Sequence, residues 1–363
     1  MNILTVFKKM AKKLIVYMLK IILKCRRIVD KIQDVILGGA AYNHILKILE
    51  NRPLDINLEV TNSCPQKCCF CCNKKIKRKG EIMKMDLFRK ICDDYYMMGG
   101  GGLALSSMQS DMFTDPYLIE RLEYLKLKKD KFFLYTTNPM IGINKYDDEK
   151  LKLILETFNY ISVSVLGLNK QDFLDMSGID GFNLFYDNMI RIKNMINEHN
   201  IKIKIALNFR TYDKNQLVND KIYKELLEYF NLEGIFDSYF SWTGTINQKD
   251  LPTGAKLITK NNLNETENCA ASMSTLSITP AGKVIGCGCI DWNNRHIVGD
   301  LNNNTICEIW NSDNYKRFRN SFIQKNIPHI CKECALYANI KNAYSRKALV
   351  NYKVTDGIYW TIG

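Results

Sequence analysis

The chain lacks an uncharged apolar run long enough to cross a membrane. In its 363 residues the longest candidate runs from Leu14 to Leu23 and is interrupted by Lys20, whereas a transmembrane helix needs about 18 uncharged residues or more. No small-residue cleavage site follows this segment, so a signal peptide is not expected. Internal repeats and low-complexity tracts are also absent. With 46% hydrophobic and 25% charged residues, the composition is that of a globular protein with a substantial core.

Histidine is scarce and cysteine is abundant. The four histidines form no recognisable metal-binding or acid–base pattern, but most of the 13 cysteines fall in two groups, at residues 64–72 and 269–334. A disulfide framework is one explanation, although such frameworks belong mainly to small secreted domains. Two groups of thiols in a chain without an export signal are better explained as metal sites.

Positive charge is concentrated near the N-terminus. Of the net charge of +13, residues 1–53 contribute +8, from eleven Lys and Arg against three acids. Because the remaining surface is much less basic, no nucleic-acid partner is expected. Apolar residues recur at three-to-four spacing over 5–37 with lysines roughly opposite, which predicts an amphipathic helix. This helix suits an anionic membrane surface, and the alternative is a helix packed on the core.

From Asp55 onwards, strand-like and helical segments alternate. The predicted strands lie at residues 55–60, 103–107, 132–137, 160–165, 201–209 and 235–242. This alternation predicts parallel βα units. We therefore expect an α/β fold, a partial (β/α)6 TIM-type barrel with an N-terminal helical extension and a small C-terminal auxiliary domain. The extension is placed at residues 1–53, the barrel at 54–242, and a linker with the auxiliary domain at 243–363.

A short loop directly after the first predicted strand carries Cys64, Cys68 and Cys71. Three thiolates on one loop can bind three irons of a 4Fe–4S cluster, and the fourth iron then stays open for a cofactor or substrate. Cys69 and Cys72 offer a second pair with two-residue spacing, so a zinc site is the alternative. Zinc pairs normally sit on a small ribbon or finger rather than at the first strand of a βα array, which favours the iron–sulfur interpretation.

The Cys-x3-Cys-x2-Cys spacing, with an aromatic residue before the last cysteine, resembles the radical S-adenosylmethionine (SAM) family over residues 54–242. The resemblance implies that the open iron chelates the methionyl end of SAM. One electron then cleaves SAM, and the resulting 5′-deoxyadenosyl radical abstracts a hydrogen atom from the substrate.

The same resemblance implies a set of cofactor-binding positions. These are Phe70, Gly100, Gly101, Ser107, Asp111, Asn138, Ser164, Asn208 and Arg210. The glycine run departs from the family pattern because no Glu follows it, so Ser107 or Asp111 is expected to offer an oxygen to the SAM ammonium group. Arg210 suits a carboxylate because its guanidinium is forked.

The second group of cysteines resembles the SPASM and twitch auxiliary-cluster domains. Twelve residues separate Cys269 from Gly282, four more separate Gly282 from Cys287, and Cys331 and Cys334 complete the set. The resemblance implies one auxiliary 4Fe–4S cluster whose irons are all bound by protein thiolates. A four-cysteine zinc site is the alternative.

An auxiliary cluster of this kind suits electron transfer, and the cysteine layout is similar to that of 2-deoxy-scyllo-inosamine dehydrogenase. We therefore expect oxidation of a carbohydrate-like small molecule, with sugar or peptide epimerisation and peptide maturation as alternatives. Cys289 and Cys307 are left over, either as buried fillers or as hydrogen-atom donors in catalysis. A non-catalytic zinc protein or a nucleic-acid binder is the alternative of a different class.

The resemblance also implies partners and a location. An external electron donor such as flavodoxin or ferredoxin is expected, with a carbohydrate-like small molecule or a peptide as substrate. The protein is expected in the cytoplasm, peripheral on the inner face of the membrane if the N-terminal helix binds lipid.

Removal of residues 1–37 tests the membrane-binding helix. Each Lys or Arg near an anionic surface contributes about 1 kcal/mol, and eight lie between Lys8 and Arg27. We expect the full chain to co-sediment with anionic vesicles, and the shortened chain to stay in solution. Binding of the full chain should weaken as salt is raised. Equal sedimentation of both chains would leave the helix as ordinary packing.

Overall fold

The computed structural model describes residues 39, 42–76, 80–105, 109–259, 268–288, 291–332 and 334–343. The helix predicted over residues 5–37 lies outside the described residues. Within the described ranges, no helix is long and apolar enough to span a bilayer.

Six parallel strands form the core and pair in the order of the sequence. They are β1 (Asp55–Leu58), β2 (Gly101–Leu105), β3 (Phe132–Asn138), β4 (Tyr160–Val165), β5 (Lys204–Arg210) and β6 (Asn231–Phe236). Since the carboxyl ends of parallel strands meet at one edge, the loops that follow these strands share one side of the barrel.

Helices lie between the strands. In the first part of the chain they are α1 (residues 42–49), α2 (Met85–Met97), α3 (Leu118–Lys126), α4 (Asp148–Thr157), α5 (Lys170–Ser177), α6 (Phe182–His199), α7 (Lys214–Asn219) and α8 (Lys221–Tyr229). Helix α2 buries Phe88, Ile91, Cys92 and Tyr95 on one side. Their three-to-four spacing puts these residues on the face that covers the sheet. The alternating pattern predicted from the sequence is therefore confirmed as a partial barrel.

The sixth predicted strand, at residues 235–242, is two strands in the structure. Strand β6 starts earlier than predicted and ends at Phe236, and β7 (Ser238–Phe240) pairs with β8 (Lys256–Ile258) in a separate two-stranded sheet. The Lys256 N–H donates to the Asp237 carbonyl (2.8 Å), so the break falls where the chain changes partner. The periodicity of the sequence does not register such a change, because both strands are extended.

The C-terminal module continues the same sheet. It contains β9 (Thr275–Ile278), β10 (Lys283–Ile285) and β11 (Ile297–Asp300), with helices α9 (Ala270–Ser274), α10 (Ile306–Asn311), α11 (Asp313–Arg319), α12 (His329–Lys332) and α13 (Ile340–Ala343). Strands β9 and β10 pair in an antiparallel hairpin through the turn at residues 280–282. Strand β9 also pairs with β1 in parallel, so the module and the barrel share one nine-stranded sheet.

A buried ion pair fixes the segment after β2 against the helices. Arg121 Nε lies 2.7 Å from Asp115 Oδ2, and both side chains are fully buried. Arg121 also donates to the Met83 carbonyl and lies over the Phe88 ring, 4.7 Å from its centroid. Such a pair contributes little net stability compared with apolar packing, but removing one partner leaves an uncompensated buried charge.

The substitution Arg121→Ala is therefore expected to lower the free energy of unfolding by about 3–5 kcal/mol. Arg89→Ala is the matched control, because Arg89 pairs with Glu120 at 2.7 Å with both side chains nearly half exposed. That pair should be worth less than about 1 kcal/mol. Urea unfolding of both variants gives the comparison. If both variants lost the same free energy of unfolding, burial would not make the Arg121 pair more important to stability than the exposed Arg89 pair.

Candidate functional site

The loop that follows β1 is held by backbone hydrogen bonds to the end of α5. The Lys67 N–H donates to the Ser177 carbonyl (2.8 Å), and the Cys69 N–H donates to the Met176 carbonyl (3.0 Å). The last carbonyls of a helix have no partner within the helix. The loop therefore provides N–H donors to carbonyl groups at the end of α5. These hydrogen bonds fix the part of the loop that carries the cysteines.

The thiols of Cys64, Cys68 and Cys71 influence one another in this loop. Desolvation raises the pKa of Cys68, and the neighbouring Cys71 and Cys64 thiols raise it further. The pKa of Cys71 is lowered by a hydrogen bond from Cys72 and by the Asn73 N–H, which lies 3.4 Å from the Cys71 sulfur. Thiolates this close repel one another unless positive charge lies among them. The three thiols therefore fit a cationic iron–sulfur cluster.

The other two cysteines of the loop pack against largely apolar neighbours. Cys69 Sγ lies 4.0 Å from Met176 Sδ, and desolvation raises the pKa of Cys69 to about 11. Cys72 is fully buried in a small cluster with Ile76 and Trp292. In the described part of the chain, no three Cys, His, Asp or Glu side chains are arranged to hold a single metal ion. A 4Fe–4S cluster differs from a single ion because it binds each thiolate at a different iron.

Asp111 and Asn138 contact each other beside the cysteine loop. Asn138 Nδ2 donates to Asp111 Oδ1 (2.7 Å), and the Asp111 N–H donates to the Ser63 carbonyl (2.9 Å). Burial raises the pKa of Asp111, and the bond from Asn138 opposes that rise. The structure therefore brings a buried carboxyl group next to the residue that precedes Cys64.

The ends of β4 and β5 bring three more predicted residues together. Ser164 lies opposite Asn208 in the strand register, and the Arg210 guanidinium lies 5.6 Å from the centroid of the Phe70 ring. Asn208 Oδ1 and Arg210 Nε are buried and have no hydrogen-bond partner among the described residues. Because buried polar atoms are almost always paired, these two atoms fit a polar ligand such as SAM.

Phe70 is held by two aromatic residues that the sequence did not single out. Its ring stacks on Tyr239 with the centroids 4.9 Å apart, and Trp242 Nε1 donates to the Phe70 carbonyl (2.8 Å). Trp242 has a φ of 49°, a left-handed conformation that is uncommon for a bulky residue. The aromatic run at residues 239–242 is the signal that could have identified them.

A shallow cleft lies beside Arg210. Its walls come from the ends of β4 and β5 and from α5 and α7. Two acids that line it are already engaged: Tyr212 donates to Asp172 (2.5 Å), and Asp213 accepts the Asn215 N–H (2.9 Å) at the start of α7. Arg210 Nε, by contrast, is a buried donor at this cleft with no partner among the described residues.

Gly100 and Gly101 do not lie at this site, which corrects the prediction that they bind the cofactor. They lie at the amino end of β2, whereas the cysteine loop follows the carboxyl end of the parallel strand β1. Their φ values are 69° and 142°, and a Cβ atom would overlap the Lys131 carbonyl at the first and the Tyr95 hydroxyl at the second. Close packing at the far end of the strand therefore explains both glycines.

Of the remaining predicted residues, Ser107 and Cys289 lie outside the described residues. Cys307 is exposed on α10, a helix that packs against α2. Because α2 covers the sheet from outside, the structure does not bring Cys307 to the cysteine loop, and its role as a hydrogen-atom donor stays a prediction.

The second set of cysteines meets in the C-terminal module. Cys269, Cys331 and Cys334 are buried. Desolvation raises the pKa of each, and the nearby Cys287 thiol raises each further, so that the pKa of Cys334 reaches about 12. Cys334 Sγ also accepts the Leu336 N–H (3.2 Å). The four thiols therefore lie close enough to affect ionisation within the set, and again need positive charge among them to ionise.

Comparison with known families and structures agrees with this geometry. Residues 58–230 match the Radical SAM superfamily, and residues 269–335 match SPASM, an iron–sulfur cluster-binding domain. No curated protein matches the chain in sequence.

Solved structures share the fold at low sequence identity. BtrN in complex with AdoMet and 2-DOIA has a TM-score of 0.52 at 15% identity, with 79% of this chain and 94% of BtrN covered. Streptococcus suis SuiB bound to the precursor peptide SuiA has a TM-score of 0.54 at 13% identity, covering 86% and 76%. The enzyme anSMEcpe with bound AdoMet and Cp18Cys peptide has a TM-score of 0.52 at 13% identity, covering 82% and 96%.

Replacing Cys64, Cys68 and Cys71 together by Ala is expected to remove one of two clusters. Iron per chain should fall from about eight to about four, measured together with sulfide after anaerobic purification. The control is Cys69→Ala with Cys72→Ala, which removes two thiols from the same loop and should leave the iron unchanged. Unchanged iron in the triple variant, or zinc in place of iron, would contradict the assignment.

Proposed function

The chain belongs to the radical SAM superfamily and carries a SPASM domain, and we propose that it oxidises a carbohydrate-like small molecule. Its cofactors are SAM and 4Fe–4S clusters. When bound, they supply a radical that takes a hydrogen atom from a substrate carbon and an acceptor for the electron left behind. An alcohol carbon that loses a hydrogen atom, then one electron and the hydroxyl proton, becomes a carbonyl.

The observation that carries the proposal is the convergence of Cys269, Cys287, Cys331 and Cys334. Burial and the nearby Cys287 thiol raise the pKa values of the other three, so the chain itself can supply a ligand for every iron of a cluster there. Such a cluster has no open position for substrate and suits the transfer of an electron. Oxidation needs such an acceptor, whereas epimerisation must return a hydrogen atom.

The chain's own residues would position SAM at the first site. We propose that Cys64, Cys68 and Cys71 bind the cluster, that Arg210 donates to the SAM carboxylate through Nε, and that Asn208 Oδ1 accepts a hydrogen bond from another group of SAM, since both atoms are buried and lack a partner in the described chain. Asp111 would accept hydrogen bonds from the ammonium group. Binding energy of this kind holds the reacting groups in line.

The substrate class is proposed from one structural relative. BtrN was solved with 2-DOIA, and its match covers 94% of BtrN. SuiB and anSMEcpe were solved with peptides, so a peptide substrate is the second candidate.

An anaerobic assay in deuterated water tests oxidation. The protein is incubated with SAM, dithionite and either a panel of amino-cyclitols and amino sugars or a set of short peptides. We expect one 5′-deoxyadenosine for each oxidised small-molecule product, with no new deuterium bound to carbon. Cys289→Ala and Cys307→Ala should both keep activity, because oxidation needs no hydrogen donor.

Other outcomes point elsewhere. Loss of activity in either cysteine variant together with deuterium in the product would indicate an epimerase. Turnover of peptides alone would indicate a peptide maturase.

A further inference from the structure

The side chain of Gln109 joins the loop after β2 to the C-terminal module. Gln109 is 4% exposed, and its Nε2 donates to the Gly288 carbonyl (3.1 Å), across 179 residues of sequence. Gly288 directly follows Cys287 in the chain, and its own N–H donates to Ser277 Oγ in β9 (3.0 Å). The side-chain amide of Gln109 therefore contacts the backbone of the residue that follows Cys287, one cysteine of the second set.

The backbone of Gln109 contacts the first cysteine loop. Its carbonyl accepts a buried hydrogen bond from Asn73 Nδ2, and the Asn73 N–H lies 3.4 Å from the Cys71 sulfur. A short series of contacts thus runs from Cys71 through Asn73 and Gln109 to Gly288 and Cys287.

A second contact between the same parts is apolar. Trp292 of the C-terminal module packs on Cys72 and Ile76 of the first loop. Apolar packing of this kind is non-directional, whereas hydrogen bonds restrict both distance and angle. The separation of the two cysteine sites is therefore set by the hydrogen bonds more than by the packing.

We propose that Gln109 is a positioning residue that holds the loop of Cys71 and the loop of Cys287 at a fixed separation. The contact itself is independent of the proposed function. Its consequence for the clusters rests on that function, because the two loops carry ligands of the two clusters and their separation governs how strongly the clusters interact.

Hydrogen exchange of the holoenzyme tests the contact. Gln109→Leu keeps the approximate volume of the side chain and removes the donor to the Gly288 carbonyl. The backbone amides of Gly288 and Asp291 should then exchange with solvent about tenfold faster, which is the effect of losing one buried hydrogen bond. The control is Gln248→Leu, which removes a bond of the same type, from Gln248 Nε2 to the Ala255 carbonyl (2.8 Å). It should leave those two amides unchanged.

Electron paramagnetic resonance tests the separation. In the doubly reduced holoenzyme, each cluster speeds the spin relaxation of the other in a distance-dependent way. In Gln109→Leu the signal of the SAM-binding cluster should saturate at lower microwave power, with the same iron content as wild type. If Gln109→Leu fails to bind iron, Gln109→Asn, whose shorter amide cannot reach Gly288, takes its place.

Two results would overturn the proposal: unchanged exchange at Gly288 and Asp291, or unchanged power saturation in a variant with full iron content. Absence of a second cluster from the wild-type protein would instead contradict the proposed function, and the exchange result would still decide whether Gln109 holds the two loops together.

Discussion

The arrangement depends on one electrostatic constraint: thiols held close together in a desolvated place cannot ionise unless positive charge lies among them. The chain meets this constraint twice. At the first site it also supplies cations of its own, because the Lys74 and Arg210 charges lower the pKa of Cys71. At the second site, burial and the neighbouring thiols raise the pKa of Cys331, and Asp291 raises it further. Charge around a cluster is one of the factors that set its potential.

The scaffold around the first site makes this arrangement rigid. The loop completes the end of α5 through backbone hydrogen bonds, and the segment bearing Asp111 leads into Asp115, whose buried ion pair with Arg121 anchors it on the helices. Phe70 is fixed by Tyr239 and Trp242. Among the buried polar atoms without partners in the described chain, Asn208 Oδ1 and Arg210 Nε lie on the side where a ligand would lie.

Sequence patterns predicted the parts of the fold that depend on local order. Strand–helix alternation and cysteine spacing are properties of neighbouring residues, and both led to the correct family and barrel. The glycine run was assigned to the cofactor by resemblance, whereas the crowding at Tyr95 and Lys131 that explains it is visible only in three dimensions. Contacts such as that of Trp242 with Phe70, which are 172 residues apart, cannot be predicted from the periodicity of the sequence.

The shared sheet makes the barrel depend on the C-terminal module. Strand β1 lies between β2 and β9, and the Glu59 N–H, at the start of the cysteine loop, donates to the Ile278 carbonyl of β9 (3.0 Å). Without the module, β1 would be an edge strand with unpaired backbone groups, and the loop of Cys64 would lose the bond at its origin. The two cysteine sites are therefore parts of one structural unit, although more than 200 residues separate Cys64 from Cys269 in the sequence.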